Sequence, residues 1–205
     1  MRIPRTCAFW GDLSFEPNID AVRWFVHKVW KHVSYNRPDS KLTILGRRPV
    51  DAVMALADEP CVEVLPDVPD LRPHLRSTAA AVMPMRCGHG IKNKLLEAAS
   101  MGMPILASPK AVNGLVFGEG RPPMVVCKRP GDWVAGLDKV WSQPGHAAST
   151  GALARQWVLD RDTWPGAAEK LQQLLQTLAP DEPIYYSQPQ ATRPLPKRRT
   201  RRDAA

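Results

Sequence analysis

Residues 85–108 read MRCGHGIKNKLLEAASMGMPILAS: a glycine-flanked turn, an amphipathic run, and a short apolar run closed by Ser108. Gly88 and Gly90 let the backbone come close to an anion. A helix starting near Ile91 aims its unpaired amides and the positive end of its dipole at the same spot. Glu97 lies about six residues further in, roughly 9 Å at 1.5 Å per residue. Its carboxylate is placed to accept hydrogen bonds from the ribose of a nucleotide whose phosphates sit at the helix start. Asn93, four residues earlier, shares that face. Taken alone, Glu97 also reads as an exposed helical glutamate with Lys94 as its surface partner; the turn ahead of it favours the ligand reading.

Outward from this stretch, apolar runs alternate with amphipathic ones, the pattern of strand and helix units around a parallel sheet. Strands are expected at residues 6–10, 41–45, 61–65, 79–84, 104–108 and 124–127. Ile19, Val22, Val26, Val29, Trp30 and Val33 recur at helical spacing, with Asn18 as the cap and Pro17 before it. Further helical turns are expected at 50–57, 70–76 and 91–101. From Gly131 onward the spacing is helical, with Trp133, Leu137, Val140 and Trp141 on one face and a last helix over 164–178. No internal repeat is evident. The expected fold is α/β, a Rossmann-like parallel sheet with helices on both faces over residues 1–179. A disordered Pro/Arg-rich tail over 180–205 follows.

Composition suits one domain and a tail. A chain of 205 residues with 44% hydrophobic and 23% charged content buries one full core. Cys7, Cys61, Cys87 and Cys127 form no CxxC pair, which points away from zinc spacing and a disulfide framework and toward reduced thiols. Cys87, beside the turn, reads as incidental rather than as a nucleophile. His27, His32, His74 and His146 lack partners at ligand spacing, so no metal is expected. The first residues contain no apolar leader segment, and no run approaches the roughly 18 apolar residues of a spanning helix. The expected location is cytoplasmic, at most peripheral at the inner membrane face. Of the net charge of +8, the tail carries +3. Its KRRTRR run, residues 197–202, reads as a solvated end or as a weak contact to anionic membrane or nucleic acid. The nucleic-acid reading ranks lowest, since no interleaved aromatic residues accompany the charges.

In open parallel sheets, ligands bind beyond the carboxyl ends of the strands. The loops there hold Gly11-Asp12, Gly46-Arg47-Arg48, residues 66–70, residues 86–90 and Ser108-Pro109-Lys110. Arg47, Arg48, Arg86, Lys92, Lys94 and Lys110 are the candidates to meet a diphosphate, each also readable as a solvated side chain. His89 stands inside the turn, either as a ligand contact or as a residue that tolerates turn geometry. A dinucleotide-binding dehydrogenase is disfavoured: no GxGxxG follows the first strand, and Gly46 with two arginines stands where its acidic residue belongs. A P-loop is also missing. The nucleotide is therefore expected at the fourth loop and its helix.

From Phe9 to about Leu115 the chain resembles the C-terminal, donor-binding half of a GT-B glycosyltransferase of family 4, also called group 1. The resemblance is carried by FWGDLSFEPNIDAVRWF, KLTILGRRP, VPDLRPHL, AVNGL and above all GIKNKLLEAASMGMPILAS. It is similar in particular to bacterial sugar transferases associated with exopolysaccharide and exosortase systems. The resemblance implies a retaining enzyme that takes a nucleotide-diphosphate sugar, without a permanently bound cofactor or metal, and transfers the sugar to a glycan or lipid-linked acceptor. Glu97 matches the glutamate that holds the donor ribose. Lys94, with the amides from Gly90 onward, matches the phosphate-binding region; Gly11 and Val68 belong to the same nucleotide site, with base selection expected from backbone around Val68. Two departures stand out. The first glutamate of the family's Glu-x7-Glu pattern falls on His89, and Asn18 stands near an expected lysine, leaving Arg47 or Arg48 as its substitute. His89, Arg47 and Arg48 are thus the catalytic candidates. Only residues 1–5 precede the first strand, so the acceptor-binding half is expected to be missing from the chain, as in a truncated product, a half completed by a partner chain or a second copy, or a fragment whose start lies upstream. The alternative is a non-catalytic nucleotide-sugar-binding module or an inactive truncated remnant.

Overall fold

A computed structural model describes residues 2–88, 90, 92–115, 117, 122–161 and 163–178. Six parallel strands run in the order β3-β2-β1-β4-β5-β6. They are β1 Ile3–Asp12, β2 Lys41–Arg47, β3 Val62–Pro66, β4 Thr78–Met83, β5 Ile105–Ala107 and β6 Val125–Val126. The order reverses direction between β1 and β4, which is where a doubly wound sheet opens a crevice at its carboxyl edge. The chain steps outward from β1 to β3 on one side and from β4 to β6 on the other, the winding that, with crossovers of one hand, covers both faces of a sheet with helices. The fold is a Rossmann-like α/β sheet.

The inner strands form because their centres are apolar on both sides. Cys7, Ala8, Phe9 and Trp10 in β1, Leu42, Ile44 and Leu45 in β2, and Ala80 to Met83 in β4 are all buried, as sheets covered on two faces require. The alanines of β4 leave room for helices to lie close. The helix after β1 runs as α1 Glu16–Phe25, a π-helical segment Val26–Trp30 and α2 Lys31–Asn36. Its Phe25 and Trp24 meet Trp133 edge-on at 5.4 and 6.3 Å, which ties it to α7, Pro130–Ser142. Such pairs add about 0.5–1.5 kcal/mol beyond their buried area.

Shorter helices are α3 Asp51–Met54, α4 Arg72–Ser77 and α6 Pro109–Val112. The last is capped by Ser108, whose Oγ accepts from the Ala111 amide and donates to the Met85 carbonyl, so it also pins the root of the glycine turn. Helix α8, Pro144–Arg161, packs on α5, Asn93–Ser100. Here the reading of residues 91–101 needs a correction. Lys92 is extended (φ −92°, ψ 96°) and the helix starts at Asn93, because the positive φ of Gly88 and Gly90 holds the preceding chain open. Asn18 is also not a cap. Phe15 holds that position, Pro17 fills the first turn, and Asn18 lies buried one step further in.

The chain divides into two units, Met1–Gly166 and a second that begins at Ala167. Leu171, Leu174, Leu175 and Leu178 of the last helix, α9 Trp164–Leu178, are exposed. No described helix is long and apolar enough to cross a membrane. The basic tail lies outside the described residues.

Candidate nucleotide-binding site

The sheet positions an open cavity of about 640 Å³ at the reversal point between β1 and β4. Its walls come from the carboxyl ends of β1 (Trp10, Gly11) and β2 (Gly46, Arg47), the loop after β3 (Val68, Pro69, Leu71), the loop after β4 (Met85, Gly88) and α5 with its N-cap (Lys92, Asn93, Lys94, Glu97). Phe15, Pro17 and Asn18 close it from α1. Two glycines make the space. Gly11 and Gly46 face each other in register across β1 and β2, and the strands approach so closely there that a Cβ on Gly46 falls 1.8 Å from the Gly11 oxygen.

The sequence placed Glu97, Lys94, Asn93, Gly88, Gly11, Val68 and Arg47 in one site, and the structure brings all seven to this cavity wall. Gly90 has the positive φ expected of the turn, 74°, but is not among the lining residues. His89 and Ile91 lie outside the described residues. Arg48 is not on the wall itself: its guanidinium is hydrogen-bonded to Asp12, which is, and its amide donates to Asp67 Oδ1 at 2.9 Å. Hydrogen bonds from the Ser14 hydroxyl and amide, and then from Arg48, hold the Asp12 carboxyl down at about 2. Arg86 is likewise engaged, with Asp20 at 3.1 Å. Of the loop arginines, Arg47 is the one at the cavity.

Lys94 is the electrostatic centre. Its Nζ donates to Asn18 Oδ1 at 2.6 Å and lies 4.2 Å from the centre of the Phe9 ring. Asn18 is kept in place by its own Nδ2, which donates to the Asp12 carbonyl at 2.8 Å. Burial lowers the Lys94 ammonium to about 7; the Glu97 carboxylate pulls it back up and Lys92 pushes it further down. A half-neutralised cation with few protein partners is suited to gain charge when an anion arrives. Glu97 does not pair with Lys94 as a surface glutamate would. Its Oε2 accepts from the indole Nε1 of Trp10 at 2.8 Å.

With Asn93 as its first residue, α5 places Glu97 four residues into the helix, about 6 Å from the start rather than 9 Å. The amides aimed at an anion are those from Asn93 onward. Lining residues that sequence reasoning did not place in the site are Trp10, Phe15, Pro17, Leu71 and Met85. Trp10 carried no signal of its own, since a tryptophan inside an apolar strand reads as core. Among the described residues, no three His, Cys, Asp or Glu side chains gather as a metal-ligand set.

The family model described as glycosyl transferases group 1 matches residues 4–143. No curated protein matches the chain. Among solved structures, a mutant of S. aureus TarM in complex with fondaparinux, α-GlcNAc-glycerol and UDP superposes with a TM-score of 0.68 at 14% identity, over 84% of this chain and 36% of that one. The pneumococcal O-GlcNAc transferase GtfA in complex with UDP and GlcNAc gives 0.65 at 15%, over 87% and 37%. Anabaena HepE in complex with UDP gives 0.67 at 11%, over 85% and 49%. The chain thus spans about a third to a half of the length of the structures it matches.

Proposed function

Because the chain belongs to the group 1 glycosyltransferase family, we propose that it is the donor-binding part of a transferase that uses a nucleotide-diphosphate sugar. The observation that carries this reading is the convergence of Lys94, Glu97, Gly11, Gly46 and Gly88 on one cavity at the point where the strand order reverses. In this scheme the ribose hydroxyls bond to Glu97. The diphosphate lies against the start of α5 and Lys94, which neutralise the leaving group as the sugar departs. The base rests on Val68, Pro69 and Leu71. The structures in complex with UDP make uridine diphosphate the first nucleotide to try. Transfer with retention to a glycan or lipid-linked acceptor, of the exopolysaccharide type, at the cytoplasmic side, completes the proposal. The acceptor-binding half comes from chain beyond this span or from a partner.

A second reading is favoured by one residue: His89 stands where the family pattern has its first glutamate. A nucleotide-sugar-binding module without turnover would keep Glu97 and Lys94 and dispense with that glutamate.

The test is calorimetric titration of the chain with UDP, GDP, ADP and their sugar conjugates. One nucleotide should saturate the site, and Glu97→Ala should weaken it about tenfold to thirtyfold, the cost of one charge-assisted hydrogen bond, with the melting temperature lowered by only a few degrees as the Trp10 N–H loses its acceptor. A large drop in melting temperature at unchanged affinity would make Glu97 structural. Absence of binding at millimolar nucleotide would defeat the donor-site reading. Arg48→Ala serves as the contrast. Since its guanidinium is engaged with Asp12 at the surface, its loss should change nucleotide affinity no more than about fivefold, and a hundredfold loss in the same titration would put Arg48 on the ligand.

A further inference from the structure

Trp10 is 2% exposed and ends the buried run of β1, yet it lines the cavity and its indole donates to the Glu97 carboxylate. Its neighbour Phe9 lies beneath the Lys94 ammonium. Two consecutive residues of one strand therefore hold the two charged residues of α5, which stand three positions apart on the helix. Lys and Glu at that spacing ordinarily reach each other. If they did so here, the cation and the carboxylate would each lose a lone pair or a donor that a ligand needs. Asn18 and Phe9 hold Lys94 on one side, and Trp10 holds Glu97 on the other.

We infer that Trp10 is the positioning residue of the ribose site: its N–H fixes Oε2 of Glu97, keeps the carboxylate off Lys94, and turns Oε1 toward the ribose hydroxyls. The inference rests on the donor-site reading above. It follows from the chemistry of the pair. A buried indole N–H must find an acceptor, and a glutamate with three rotatable bonds loses less entropy on binding ligand when one oxygen is already fixed. The consequence is selectivity for ribose over a sugar without hydroxyls, because the fixed carboxylate has no other donor to meet when those hydroxyls are missing.

The experiment uses Trp10→Phe, which keeps an aromatic ring and removes the N–H. Dissociation constants are measured for the best-binding nucleoside diphosphate and for its 2′,3′-dideoxy analogue. The variant should weaken the ribonucleotide about tenfold, leave the dideoxy analogue within about twofold, and add nothing further when combined with Glu97→Ala. A merely structural Trp10 would weaken both nucleotides alike, and that result, or no effect on either, overturns the inference while leaving the donor site standing. Failure of the wild-type chain to bind any nucleoside diphosphate overturns the donor-site reading and this inference with it. Should Trp10→Phe not fold, the Trp10 indole proton resonance in the otherwise wild-type chain decides: it must shift on Glu97→Ala, and an unmoved resonance overturns the proposal.

Discussion

Gly46→Ala should cost this protein about 3 kcal/mol or more, lowering its melting temperature by roughly 6–12 °C or preventing folding outright. A Cβ built at Gly46 lies 1.8 Å from the Gly11 oxygen and 2.9 Å from both the Gly11 carbonyl carbon and Leu13 Cγ. The first two are backbone atoms of the paired central strand, so no rotamer change relieves the contact. Leu13 is fully buried, so its side chain has no open space to swing into, and its amide donates to the Arg47 carbonyl at 2.8 Å, which holds its backbone in place. The Gly46 carbonyl meanwhile accepts from the Asp67 amide at 2.7 Å, which fixes the loop bearing Val68. Spreading β1 from β2 would therefore open the cavity floor as well as the core. Thermal unfolding followed by circular dichroism checks this, with Gly131→Ala as the control, since nothing lies within 4 Å of a Cβ there. A Gly46→Ala protein that melts with the wild type would show that the strands are not held at this spacing.

Lys94→Met should weaken nucleoside diphosphate binding about a hundredfold, because it removes the buried cation that faces the diphosphate. The wild-type protein should also bind the nucleotide less tightly as pH rises from 6 through about 7 to 9, since burial has brought the Lys94 ammonium down to about 7 and only the charged form pairs with the anion. Stability moves in the opposite direction. Below about 7 both folded and unfolded chains hold the Lys94 proton, and the folded chain bears the full cost of burying it. Between about 7 and the ordinary 10.5 the unfolded chain binds a proton that the folded chain has released, so stability rises with pH across that window. Lys94→Met should remove this rise and be the more stable protein at pH 6. Calorimetric titrations and urea unfolding at pH 6, 7.5 and 9 measure both slopes. A pH-independent affinity would mean that Lys94 does not face the ligand's charge.

Much of the fold was legible because a doubly wound sheet writes itself in local terms. Its strands are short apolar runs closed by glycine or proline, as at Gly46 and Pro66, and all six expected strands are present. The site's outline was legible for the same reason: Gly88, Lys94 and Glu97 lie within one turn-and-helix unit. Helix α8 gave a weaker signal. It buries Trp157 and Val158 beside Ala147, Gly151 and Ala154, and these last three are small residues that let it approach Gly102, where a Cβ on Gly151 would fall 2.2 Å from the Gly102 oxygen. Close packing of this kind leaves no stripe of large apolar side chains to count.

By itself the sequence determined the α/β class, the parallel sheet, the glycine turn and the residues of α5 that line the cavity, since each follows from spacing along a few neighbouring residues. Only the tertiary structure decided which partners those residues take. That Trp10 meets Glu97, that Asn18 meets Lys94 instead of capping a helix, that Arg48 turns to Asp12 while Arg47 lines the cavity, and that Arg2 ties the Thr78, Met101 and Gly102 carbonyls together are all contacts between segments far apart in the chain. Sequence spacing sets the face a side chain occupies; the sheet order and the depth of burial set what it finds there.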